Sequence, residues 1–217
     1  MCGRYVLFTH PEALTTAIQG WLGSGQVPIV GRNKAGAGTP NYNVAPTHTV
    51  PILRDYKDKP ILGPSTWGYP PNTVFNARGE TAFDKPLFSG SVPCAVPMDG
   101  WYEWTKDGTK KQPWFTSSTD GEPLFAAGLC SAREGVLYST IITTAALPEM
   151  EWLHHRMPRI LTGEELHHWL APESEGELRE LAGASRPAIP QHLTSRKVTT
   201  KVGNVSNNGP ELLDEVE

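Results

Sequence analysis

The chain is poor in the features that define several protein classes. It has three cysteines, Cys2, Cys94 and Cys130, in 217 residues. They are too few and too scattered for a disulfide scaffold or a CxxC zinc site, so no metal centre is expected. No apolar run approaches the roughly 20 residues that a membrane-spanning helix needs. No basic-then-apolar leader follows Met1, so a cytoplasmic location is expected, at the nucleoid if the host is a bacterium. Basic residues are not in surplus either: 19 Lys and Arg face 23 Asp and Glu, for a net charge of −4. That excludes a globally basic nucleic-acid coat protein. It does not exclude a local basic groove, because affinity for phosphates follows clustered charge rather than the total.

What the chain has in excess is glycine and proline, 21 and 20 residues, about a fifth of the total against about 12% on average. Such punctuation argues for many turns and short strands, and against a helical bundle. The 38% apolar content is spread along the length, which argues against disorder. Leu14, Ala17, Ile18, Trp21 and Leu22 have helical spacing behind Pro11, so residues 11–22 read as a helix. Residues 23–41 read as a long glycine-rich loop. From Tyr42 to Thr144 short apolar runs alternate with turn signals, with Asp107-Gly108 and Asp120-Gly121 as hairpin turns. Thr162, with Glu165 three residues on, forms a capping box that opens a helix. A further helix is expected from about Glu173 to Leu181, and a last strand over 194–202. No repeat or domain boundary appears, so residues 1–217 read as one α+β domain, mainly β. Cys94 and Cys130 sit in small apolar surroundings and read as buried reduced thiols.

Cys2 is different. Removing Met1 would give it a free α-amine beside its thiol. The α-amine titrates near 7.7–8.0 rather than the 10.4 of lysine, so far more of it is nucleophilic at neutral pH. Facing an aldehyde, the amine forms an imine and the thiol then closes on the same carbon to give a thiazolidine. A retained Met1 would block the amine. The bland alternative is a surface cysteine at a frayed terminus. Gly3 allows close approach of a ligand, and Arg4 suits phosphate.

Other segments hold polar groups that would serve such chemistry. Asn76-Ala77-Arg78-Gly79-Glu80 packs an amide, a guanidinium and a carboxylate together. Glu103 lies between Trp101 and Trp104, and a carboxyl among aromatics has a raised pKa that suits a general acid or base. The alternative for Glu103 is an outward-facing strand residue. His154-His155-Arg156 precedes a proline by two residues and belongs at a loop or strand end; either histidine can shuttle protons or be structural. His167-His168 falls inside a predicted helix without a metal-spaced carboxylate and reads as surface.

The ordered segments Met1–Tyr5, Tyr42–Pro46, Trp67–Tyr69, Asn76–Arg78 with Glu80-Thr81, Asp99–Trp104, Lys111–Pro113, Thr143–Ala146, His154–Pro158 and Val202–Val205 together resemble the SOS response-associated peptidase (SRAP) family of abasic-site processing proteins. They run through nearly the whole chain. The resemblance implies an α+β fold, mainly β, of bifurcated sheets forming a pseudobarrel with a few peripheral helices. It implies capture of the ring-opened aldehyde of an abasic site in single-stranded DNA, without a cofactor, by a monomer. Cys2 would be the nucleophile, Asn76 would position the amine or sugar, Glu103 would be the general acid/base, also assisting reversal, and His154 a second acid/base able to support β-elimination. Gly3, Arg4, Arg78 and Arg156 would meet the DNA backbone, and Pro46 and Trp67 would help shape its channel. The family name records a proposed peptidase activity, whose simplest content is autocatalytic release of Met1. Two departures stand out: residues 69–75 form a short segment where the family carries a longer loop with stacking tryptophans, and the glycine-rich 23–41 stretch is an insertion.

Two other classes remain open on the residues alone. An N-terminal-nucleophile glutamine amidotransferase also begins Met-Cys-Gly, but its Gly-Asp element is absent and Asn208-Gly209 comes very late. A non-catalytic single-strand-binding module would use DNA contacts with Cys2 incidental. For a protease acting on other proteins no cleft pattern is found.

Overall fold

The structure is a computed structural model and describes residues 2–23, 25–31, 40–184 and 192–217. The first half of the chain forms β1 (Tyr5–Leu7), α1 (Pro11–Leu22), β2 (Asn41–Val44), β3 (Thr49–Asp55), β4 (Pro60–Trp67), β5 (Asn76–Arg78) and β6 (Val92–Met98). It continues with β7 (Gly100–Asp107), β8 (Lys110–Ser118), β9 (Leu124–Arg133), β10 (Val136–Ala145) and β11 (Arg156–Pro158). Helices α2 (Gly163–Leu170) and α3 (Glu175–Gly183) and strand β12 (Leu193–Lys197) follow. No helix among the described residues is long and apolar enough to cross a membrane.

Strands β4, β3, β6 and β9 follow one another antiparallel, and β10 pairs with both ends of that run. It runs antiparallel to β9 and parallel to β4, so five strands close into a barrel without an open edge. A separate five-stranded antiparallel sheet has the order β12-β8-β7-β1-β2. Tyr5 of β1 meets Trp67 of β4 edge to face at 5.0 Å, joining the two sheets in one hydrophobic cluster; such aromatic pairs add about 0.5–1.5 kcal/mol beyond burial.

The bifurcation lies along β10. Its first half pairs with β4 at Tyr138 and Ser139, and its second half with β5 from Ile141 to Thr143. On its other edge β9 ends at Ile141 and β11 takes over from Thr143 to Ala145. The strand exchange splays the sheets and brings Asn76–Arg78 and Arg156–Pro158 to opposite sides of Thr143.

The mainly β α+β class, α1, the hairpin at Gly108 (φ +59°) and the Thr162 capping box agree with the sequence reading. The second helix starts later, at Glu175, because Ser174 caps it by accepting from the Glu177 amide. The last strand is shorter: Val198 makes only an isolated bridge, and Thr199 caps a tight turn over 200–203. Of the loop expected at 23–41, residues 24 and 32–39 lie outside the described residues, as does Met1; Ile29 bridges to Leu62 and Asn41 already belongs to β2. Cys94 and Cys130 are buried free thiols, as expected.

Candidate active site

The site begins with the short strand β1, which three residues could not hold alone. Tyr5 pairs with Val44 on one side and Trp101 on the other. Asp99 clamps its far end: the Phe8 and Thr9 amides donate to Oδ2 at 2.6 and 2.9 Å, and the Thr9 hydroxyl donates to Oδ1. Gly100 is needed beside it, because a Cβ there would fall 2.3 Å from the Thr116 carbonyl oxygen. Thus anchored, β1 leads the chain inward, and Cys2 is fully buried.

Asn76 meets it from β5. Its Nδ2 donates to the Cys2 carbonyl at 2.8 Å, while its Oδ1 is buried and accepts no hydrogen bond among the described residues. Glu103 arrives from β7 and is 4% exposed, which settles its orientation as inward. Burial raises its carboxyl above the usual range, and the positive amino terminus of the chain partly opposes that. Burial likewise pushes the Cys2 thiol far up, helped by the Glu103 charge, so the sulfur is held as a thiol. The Tyr5 hydroxyl is also buried without a hydrogen-bond partner among the described residues, and burial raises it well above its ordinary value.

His154 closes the group. Its Nδ1 is held by the Arg156 backbone, 2.9 Å from the amide nitrogen and 3.1 Å from the carbonyl oxygen, which fixes the ring. Burial lowers its pKa, which favours the neutral form at physiological pH. Its ring stacks on His155 with centroids 4.3 Å apart. Trp101, Glu103, Met150, Leu153, His154, Arg156 and Met157 line a small cavity of about 10 Å³. An apolar wall around one carboxyl and one imidazole is the setting in which proton transfer near neutrality is tuned.

Cys2, Asn76, Glu103 and His154 therefore converge. The residues expected at the DNA are placed less uniformly. Arg156 lines the cavity, yet its guanidinium is held by Glu80 at 2.6 and 2.9 Å and by the Thr143 carbonyl at 2.5 Å. Arg78 is exposed at the end of β5, and Pro46 is half-buried in the turn after β2. Gly3 is half-buried beside Cys2. Arg4 turns inward instead of presenting itself to a strand, donating to Asn43 Oδ1 and the Val202 carbonyl, both at 2.9 Å. Trp67 needs a correction: it is fully buried, with its Nε1 donating to the Phe75 carbonyl at 2.9 Å, so it can support a channel only from beneath. Its strand pairs parallel with β10 on the closed barrel, a burial that the local sequence does not announce.

Sequence reasoning assigned no role to Asn43, Asp99, Thr143 or the apolar lining. Asn43 is the clearest case. Besides accepting from Arg4, its Nδ2 contacts the carbonyls of Val202, Asn204 and Asn207 at 3.0–3.1 Å, tying the 202–207 loop beside β2. Its position inside the Tyr42–Pro46 segment was the available signal.

A family model for the SOS response associated peptidase (SRAP) matches residues 1–205. The chain is 36% identical over 192 residues to the abasic site processing protein YedK of Escherichia coli (strain K12), across 81% of this chain and 84% of that one. It is 31% identical over 234 residues to the abasic site processing protein YoqW of Bacillus subtilis, across 99% of each. A solved protein from Bacteroides thetaiotaomicron shares the fold along the full length of both chains, with a TM-score of 0.81 at 22% identity. With the matched model spanning 1–205 of 217 residues, the chain belongs to the SOS response-associated peptidase family.

Proposed function

We propose that this protein captures abasic sites in single-stranded DNA as a covalent thiazolidine on Cys2, once Met1 has been removed. The named relatives are abasic site processing proteins, which supports the substrate. The observation that carries the reading is the Asn76 amide: one end holds the Cys2 carbonyl and the other is a buried acceptor without a donor. A buried orphan acceptor costs about 1–3 kcal/mol. A free α-amine on Cys2 supplies the missing donor and would be oriented by it.

The chemistry then runs on groups already in place. The Cys2 amine adds to the aldehyde carbon of the ring-opened sugar, giving a carbinolamine. Glu103, in its protonated form, which burial favours, gives its proton to the departing hydroxyl, so water leaves and an iminium remains. The Cys2 sulfur adds to that carbon and its proton passes to the Glu103 carboxylate, closing the five-membered ring with a neutral nitrogen. Aldehyde, amine and thiol become thiazolidine plus one water, and Glu103 ends as it began. The elevated thiol pKa fits this order, with the amine attacking first and the thiol second. Reversal uses the same steps backwards. His154, whose lowered pKa favours the neutral imidazole, is the second acid/base and the base for strand β-elimination from the iminium. We assign the release of Met1 to the same side chains. Arg78 and Arg156 face the backbone, with Arg156 exchanging Glu80 for phosphate. We take residues 1–217 as one functional unit, since the main cluster draws on both sheets.

Intact mass before and after incubation with an abasic single-stranded oligonucleotide tests the reading. The expected result is a starting mass lacking one Met, then a heat-stable adduct that Cys2→Ala abolishes while reversible DNA binding persists. An adduct surviving in Cys2→Ala overturns the terminal-aminothiol mechanism.

A further inference from the structure

A second aromatic group borders the cavity from outside. Trp152, in the turn between the Pro148–Met150 helical turn and β11, is 52% exposed. It stands edge to face against Trp114, with centroids 4.7 Å apart and planes at 78°. Trp114 is itself fixed, donating its Nε1–H to the Thr105 hydroxyl at 2.9 Å. It is also the cross-strand partner of Glu103 on one side and Lys197 on the other. Directly paired residues project from the same face of a sheet. Glu103, Trp114 and Lys197 therefore form one row, from the buried carboxyl to an exposed ammonium. Along the chain, Trp152 is followed at once by Leu153 and His154, which line the cavity.

A tryptophan half out of water is costly unless something covers it. Among the described residues the exposed tryptophans are Trp21 and Trp152. Trp21 packs on Phe125 and borders a different groove, away from Cys2. The short 69–75 segment offers no exposed ring: Tyr69 is fully buried and Phe75 packs on Trp67.

Resting on the function proposed above, we propose that Trp152 is a stacking platform for the nucleobase flanking the captured lesion, with Lys197 taking an adjacent phosphate. An edge-on partner leaves a face of the indole open, and a base has a π-face to cover it. One aromatic ring beside one cation is the footprint of a single strand. A single ring is also too small a patch to anchor a protein partner. Glu149 and Glu151 are exposed on the same turn, so phosphate lies toward β12 and away from the turn. An abasic nucleotide has already lost its base from the stack, and the platform replaces the stacking that its neighbour lacks.

The test is a cycle between the ring and the base, using single strands that carry a tetrahydrofuran abasic analogue, which Cys2 cannot capture. Trp152→Ala should bind about 5- to 150-fold more weakly than wild type, the range of one stacked base. Trp152→Phe should keep most of the affinity. Deleting the base on one flank of the analogue should cost wild type a similar factor and cost Trp152→Ala nothing more. Equal losses in both proteins for deletions on either flank would overturn the platform. Lys197→Ala should reduce the slope of log affinity against log salt by about 1; an unchanged slope removes the phosphate contact. Wild-type adduct formation on a true abasic strand is run in parallel. No adduct there defeats the proposed function; an adduct without ring–base coupling defeats only the platform.

Discussion

Glu165 and Glu103 are both buried carboxylates, 6% and 4% exposed, and they lie in contrasting surroundings. Glu165 opens α2 amid donors. Arg159 grips it with two guanidinium nitrogens at 2.7 and 3.1 Å, the Thr162 amide donates to it at 3.1 Å, and its own amide donates back to the Thr162 hydroxyl. Arg159 is in turn held by the Leu181 carbonyl at 2.7 Å. That carboxylate is locked as a structural anion. Glu103 faces Trp101, Met150, Leu153 and Met157, where burial lifts its pKa instead. One acid is matched for stability, the other, in the function proposed above, for proton transfer. The difference lies in the neighbours, not in the depth of burial.

The sharpest way to break this comparison is at the structural end. Arg159→Met leaves a buried carboxylate without its guanidinium, and breaking such a pair costs about 3–5 kcal/mol. For a chain of this size that is a fall in Tm of about 6–20 °C by thermal melt. Replacing both partners, Arg159→Met with Glu165→Leu, should recover much of the loss. A single variant that melts like wild type would show that Glu165 is not held by charge.

The reverse pattern is expected at the site. Glu103→Gln keeps the shape and a donor but no transferable proton. The adduct rate should fall on the order of 100-fold, the lower end for a lost general acid. Its Tm should not fall. A rate unchanged with Tm reduced would make Glu103 a second structural carboxylate.

The two acids also differ in how far they could be read beforehand. The Thr162–Glu165 box is a local pattern, because both partners lie within one helical turn, and so is the α1 periodicity. Glu103 was legible as a motif with two orientations, and only its register opposite Trp114, in a sheet that curves over the barrel, turned it inward. The closure of the barrel itself rests on parallel pairing of β10 with β4, about 70 residues upstream. No local signal encodes such a pairing. For the same reason Trp67 and Arg4 read as surface groups while the fold buries the first and turns the second onto Asn43. Trp152 drew no attention in the sequence, because a lone tryptophan in a turn has no periodicity to place it. Cys2 and Glu103 stood out by their chemistry, Asn76 and His154 through the family resemblance of their segments, and their meeting point required the split along β10.

The smallest effect sharpens the comparison through pH. A carboxyl whose folded pKa is raised binds its proton more tightly in the folded than in the unfolded chain. Glu103 therefore contributes stability that is fully present below the unfolded glutamate value, about 4.3, and is lost as pH rises through its raised folded value. Glu103→Gln has no such proton to lose. The Tm difference between Glu103→Gln and wild type should thus be near its minimum at pH 4 and grow in favour of the variant toward pH 8. Differential melts of the two proteins, both checked by mass for the state of Met1, measure it directly. A difference that shrinks with rising pH would mean that the ionised form is the better accommodated one. The environment of Glu103 would then resemble that of Glu165, and its role as proton donor would pass to His154.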